Sequence, residues 1–159
     1  EITLGIVPGI GAMVVPYRRW PQAAAVFHDM LRRAEKLDAA RAHALGIVAA
    51  LADDPRELVV RAVRQVRALA GMPNDVAAGP IAIPPLAPVA AVGPDGLALS
   101  PTAIALMEDA IRGAAAASTL ASALEIGYRA FGASACTAAA REGIGAFGEH
   151  RRADFTKTG

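Results

Sequence analysis

The chain has 159 residues, of which 54% are hydrophobic but only 4% aromatic, and 39 are alanine. That length suits one domain rather than two, and so apolar a composition excludes a chain that is disordered throughout. Sixteen Lys and Arg against fifteen Asp and Glu leave a net charge of +1, which supplies no field for nucleic acid or an acidic membrane. Alanine favours helix over strand, so close-packed helices are expected. Full burial of a Leu or Phe is worth roughly 1.5–3 kcal/mol and of an alanine clearly less, so such helices need many neighbours. Cys136 is the one cysteine, which excludes an intrachain disulfide and a cysteine-based zinc site and fits a reducing, cytoplasmic setting. The apolar run 4–15 contains Pro8, is too short to span a bilayer and follows no basic stretch of the signal-peptide kind.

The opening residues 1–16 are punctuated by Gly5, Gly9 and Gly11 with Pro8 and Pro16, and read as a short extended piece followed by a tight loop. Pro21 suits the first turn of a helix along which Ala23, Phe27, Met30 and Ala34 recur at helical spacing. A second short helix over 38–45 stops at Gly46, which has no Cβ to oppose a left-handed turn. Residues 47–51 read as one buried strand. Asp54 before Pro55 is an N-cap with proline at the first helical position, and Leu58, Ala62, Val66 and Leu69 form one stripe of a helix ending near Gly71. Its Arg56, Arg61, Arg64 and Arg67 belong to a solvated face, with Glu57 placed to pair with Arg61.

Residues 72–100 carry too much proline and glycine for a long helix and predict a linker or extended excursion whose Ile81, Ile83, Leu86, Val89 and Val92 pack on a surface. Ser100 and Pro101 open the next helix, with Ile104, Met107 and Ile111 on one face. Leu120, Leu124, Tyr128 and Phe131 line a second, capped by Ser118 or Thr119. Cys136, Ala140, Ile144 and Phe147 line a third, capped by Ser134. About six helices and at most one or two short strands are expected.

Most candidate chemistry reduces to packing. Gly9 and Gly11 lack the third glycine of a dinucleotide loop, Val14 standing in its place, and no Gly-Lys-Ser/Thr follows. His28, His43 and His150 have no metal-ligand spacing, so no metal is expected. Cys136 on an apolar stripe reads as a packed thiol.

Two stretches resist that reading because they occur together. One is Glu1-Ile2-Thr3-Leu4-Gly5-Ile6-Val7-Pro8-Gly9-Ile10-Gly11. The other is Arg141-Glu142-Gly143-Ile144-Gly145-Ala146-Phe147, followed by Arg151, Arg152 and Phe155. With residues 39–48 between them, in the same order, the chain resembles the enoyl-CoA hydratase/isomerase family, the crotonase superfamily. The resemblance implies the C-terminal part of the α/β crotonase (ββα superhelix) fold, with its helical trimerisation module. Residues 1–71 would end the crotonase core, 72–100 form a linker or insertion, and 101–159 form the oligomerisation module of a homotrimer or hexamer.

For the site, the resemblance implies that Glu1 is one of two catalytic glutamates that activate the water added across the enoyl double bond. The Gly9 backbone N–H would help to place that water. Such chemistry asks for a base near the operating pH and an acid for the α-carbon, and two carboxylates in different environments can serve. Pro8, Gly11, Phe147 and His150 are the implied substrate-binding positions. No cofactor is implied beyond the coenzyme A of an acyl-CoA substrate, as in fatty acid metabolism. The family's oxyanion-hole donors and partner glutamate lie upstream of this motif, so the chain resembles the C-terminal portion of a longer lyase and is expected to be inactive alone. His150 replaces a family lysine that helps bind the CoA nucleotide; separately, Ala12 with Met13, Val14 and Val15 replaces the usual residues after Gly11, which suggests an unusual acyl group or a subgroup outside standard β-oxidation hydratases. An isomerase or hydrolase of the same superfamily, and a non-catalytic helical oligomerisation module, are the alternative readings.

Overall fold

The computed structural model describes residues 1–72 and 76–158. A 3-10 turn over Ile2–Leu4 leads through a loop into α1 (Val15–Arg19). A second 3-10 turn over Pro21–Ala23 runs into α2 (Ala24–Arg33). Then follow α3 (Ala39–Ala44), α4 (Pro55–Leu69), α5 (Pro101–Ala116), α6 (Leu120–Ala135) and α7 (Ala138–Gly148). Among the described residues the only β-pairing is one isolated bridge between Val92 and Ala98. The protein is mainly helical.

Local chemistry sets the helix starts. Asp38, Asp54, Ser100, Thr119 and Thr137 each accept a backbone N–H of the first turn. Thr119 and Ser122 cap each other reciprocally. Gly46, at φ +72°, turns the chain away after α3. The expected strand at 47–51 is not formed. Instead the N–H groups of Ile47 and Val48 turn back to the Ala42 carbonyl, so the segment wraps the end of α3.

The core gathers Val7, Met13, Tyr17, Phe27, Leu99, Met107 and Ile111, with Ile81, Ile83 and Val89 packed against it. The helical hairpin of α5 and α6 is the largest packing between helices. Small residues make it close: Ala110, Ala114, Ala123 and Gly127 are buried. A Cβ at Gly113 would stand 3.5 Å from Ile126 across the hairpin, while one at Gly127 would stand 3.4 Å from Val14 of the loop before α1.

This corrects two expected faces. On α6 the buried side is Ala123, Gly127 and Ser134, while Tyr128 and Phe131 are exposed. On α7 it is Ala139, Ala140, Gly143 and Ala146, while Ile144 and Phe147 are exposed. Ser134 lies buried within α6, Thr137 caps α7, and Cys136 is an exposed thiol at the end of α6. Large side chains marked the apolar stripes, but close helix packing selects the small ones.

The proline-rich excursion packs on the core as expected, although its residues 73–75 lie outside the described part. Among the described residues its carbonyls join no sheet, and basic side chains of α1 and α2 donate to six of them. Arg18 is buried and its Nη1 donates to Ala77 O at 2.7 Å, Ala78 O at 3.0 Å and Gly79 O at 2.6 Å. Its Nη2 donates to Ala114 O at 2.7 Å and Ala117 O at 3.3 Å, at the C-terminal end of α5. Further along, His28 donates to Pro84 O at 3.1 Å, Arg32 to Ala87 O, and Arg33 to Pro88 O at 3.2 Å. Arg32 also forms a buried ion pair with Glu108 at 2.8 Å. Replacing Arg18 by methionine leaves the buried Ala114 carbonyl and several partly buried ones without this donor and is expected to destabilise the protein by about 2–3 kcal/mol in urea unfolding. Wild-type stability in that variant would contradict the clamp.

Because Pro84 O can only accept, His28 Nε2 carries the proton and Nδ1 accepts from Tyr17 Oη at 2.8 Å. Burial pushes the His28 pKa below the ordinary 6.5 and the Tyr17 pKa upward. Below pH 6.5 the unfolded chain therefore binds a proton that the folded chain refuses, and stability falls as pH falls through that window. His28→Gln, which can accept and donate at the same places, is expected to flatten the loss between about pH 6.5 and 5. An equal loss in that variant and in the wild type would count against the assignment.

Candidate active site at Glu1

The two stretches that carry the family resemblance meet in space. The 3-10 turn over Ile2–Leu4 closes on Gly5 at φ +69°, and that turn packs against α7. A Cβ at Gly5 would press on the Ala139 carbonyl, and one at Gly143 would overlap the backbone of Leu4. Phe155 is buried, its ring 3.0 Å from where a Gly5 Cβ would stand. Val7 N–H donates to the buried Ser134 Oγ at 3.2 Å, and that hydroxyl donates to Phe131 O at 2.8 Å. Glu142 accepts from the Arg151 guanidinium at 2.5 and 3.0 Å and from the Asp154 N–H at 2.8 Å. These donors, Arg151 first, hold the Glu142 carboxyl down to about 2.

Glu1 is exposed at a cavity of about 170 Å³ lined by Ile2, Thr3, Pro8, Met30, Leu31, Ala34 and Glu35. Glu1 and Pro8 are thus brought together, and a second carboxylate, Glu35, lines the same space, whose walls mix polar groups with Ile2, Met30 and Leu31. Two carboxylates there can take and return a proton at a bound molecule. Glu35 went unnoticed in the sequence because it sits in a mixed run, Arg32 to Lys36, that reads as a solvated helix end.

The remaining predicted positions lie elsewhere. Gly9 faces the Phe131 ring, 3.4 Å from where its Cβ would stand, and does not line the Glu1 cavity. Gly11, at φ +80°, packs near Leu124 and Val15. Phe147 is 72% exposed on α7, and His150 is exposed just beyond it at φ +55°. Neither lines the cavity at Glu1. Among the described residues no group of three or more His, Cys, Asp and Glu is placed to hold a metal ion, and no helix is long and apolar enough to cross a membrane. No protein-family model matches the chain, and neither a curated protein nor a solved structure matches it.

Gly143→Ala drives a methyl group into the Leu4 backbone and is expected to destabilise the protein by about 2–3 kcal/mol. Gly145→Ala, in the same helix with open space around it, is expected to be neutral or to stabilise by up to about 1 kcal/mol. Equal effects of the two variants in thermal unfolding would contradict the packing of the opening segment on α7.

Proposed function

We propose that the chain is the C-terminal part of an enoyl-CoA hydratase-like enzyme of the crotonase superfamily, a lyase that adds water across the double bond of an enoyl-CoA thioester. The observation that carries this reading is the mutual packing of the two motif-bearing segments, Gly5 on Ala139 and Gly143 on Leu4. That contact gives both segments a joint structural reason, beside the order in which they occur. The location of Glu1 at the mouth of a cavity, with Pro8 beside it, adds support.

In the proposed reaction the Glu1 carboxylate orients and deprotonates the attacking water, and the partner glutamate, starting as the protonated acid, supplies the proton to the α-carbon. The family's partner glutamate would come from residues preceding Glu1, as would the donors that stabilise the thioester oxygen as the enolate forms. The chain alone is therefore expected to be inactive. Retention of a carboxylate at Glu1 favours hydration over the isomerase and hydrolase alternatives.

The product of the whole parent gene is expected to hydrate crotonyl-CoA, followed by loss of enoyl absorbance. Glu1→Gln is expected to lower kcat by about 10²–10⁴-fold. Turnover by the 159-residue chain alone, or an unchanged kcat in Glu1→Gln, would overturn the reading. The non-catalytic alternative is favoured by one observation: Tyr128, Phe131, Ile144 and Phe147 of α6 and α7 are exposed together with Ile10. Large apolar side chains left in water on these helices suit contact between subunits.

A further inference from the structure

The helix α4 is well formed and unpartnered. Asp54 accepts from the N–H groups of Arg56 and Glu57, Pro55 takes the first helical position, and Glu57 pairs with Arg61 at 2.6 Å. None of its fifteen residues is buried, and no other element packs substantially against it. An isolated helix of this length is marginal in water, so its stability calls for a partner surface.

The pattern on the helix specifies that surface. At 3.6 residues per turn, Leu58, Leu69, Ala62, Val66, Val59 and Val63 share an arc of about 140°. Val66 is 70% exposed and Leu58 57%. Within the arc, Val59, Ala62, Val66 and Leu69 follow the alternating three- and four-residue spacing of a two-helix seam, with β-branched valines at both a-type positions. Arg56 and Arg67 edge one side of the arc, and Gln65 and Arg61 edge the other. Among the described residues Arg56, Arg64 and Arg67 form no ion pair, whereas Arg61 is engaged by Glu57.

We propose that α4 is a docking helix whose Val59, Ala62, Val66 and Leu69 seam takes an amphipathic helix of a partner protein bearing carboxylates opposite Arg56 and Arg67. A second copy of α4 does not meet these terms. Antiparallel pairing sets the edge of Arg56 and Arg67 against itself, and parallel pairing sets it against Gln65 and Arg61. Glu57 lies on the far side in both. A lipid surface fits less well, because the arc is mostly valine and alanine with no aromatic side chain to anchor it, and the chain's net charge of +1 adds no wider attraction. The proposal is independent of the chemistry at Glu1.

The test uses a labelled synthetic peptide of residues 52–71 carrying R56E, R61E, R64E and R67E, which keeps the seam and reverses its edges. Titrated with the 159-residue chain at low salt, it is expected to bind saturably by fluorescence anisotropy. Raising the salt to about 0.5 M should weaken binding about tenfold or more. The double variant Val59→Asp, Val66→Asp should lose it, and its circular dichroism should show the helices retained, because both side chains are exposed. The peptide of unchanged sequence should not bind. Absence of binding by the charge-reversed peptide would overturn the proposal. So would equal binding of the unchanged peptide, which would indicate self-pairing, or tighter binding of the chain to phosphatidylglycerol vesicles than to the peptide.

Discussion

A buried guanidinium organises this fold. Residues 76–90 must run extended because prolines interrupt any helix, and among the described residues they have no strand to pair with. Where they face the core, carbonyls left without donors would each cost up to about 1–3 kcal/mol. Arg18 resolves the first three and ties them to the carbonyl end of α5. His28, Arg32 and Arg33, spaced along α2, continue the row. The strap is thus laid across the core by side chains, and Ile81, Ile83 and Val89 complete the apolar packing.

The opening segment depends on that arrangement. Its cavity at Glu1 is walled on one side by Met30, Leu31 and Ala34 of the end of α2, the helix that also carries the strap's anchors. On its other side the segment rests on α7 through contacts that tolerate no Cβ at Gly5 or Gly143. Alanine-rich helices make this geometry possible, because Ala139 and Ala140 let backbone approach backbone. The price is a set of large apolar side chains, Phe131, Ile144 and Phe147, left facing outward.

What could be read from the sequence was mostly local. Asp38, Asp54, Ser100 and Thr119 announce helix starts because a capping oxygen acts within three residues, and Pro55 and Pro101 reinforce them. The faces of α6 and α7 differ from the expected ones because bulk does not decide burial in close helix packing: Ala123, Gly127 and Gly143 face inward. The Ile47 to Leu51 run has a strand's composition but no partner strand among the described residues. Neither the Arg18 clamp nor the shared cavity of Glu1 and Glu35 has a local signature, since each joins residues far apart in the chain. At the site, Glu1 and Pro8 were legible only through the family resemblance, and the places of Gly9, Phe147 and His150 relative to the cavity were not legible at all.

If Glu1 belongs to an acyl-CoA site, as proposed, an experimental structure of the parent gene's whole product bound to a saturated acyl-CoA will place the β-carbon of the acyl chain within one water molecule's width of the Glu1 carboxylate, with the acyl group against Pro8. An acyl chain bound away from Glu1, or a product that binds no acyl-CoA, would contradict it.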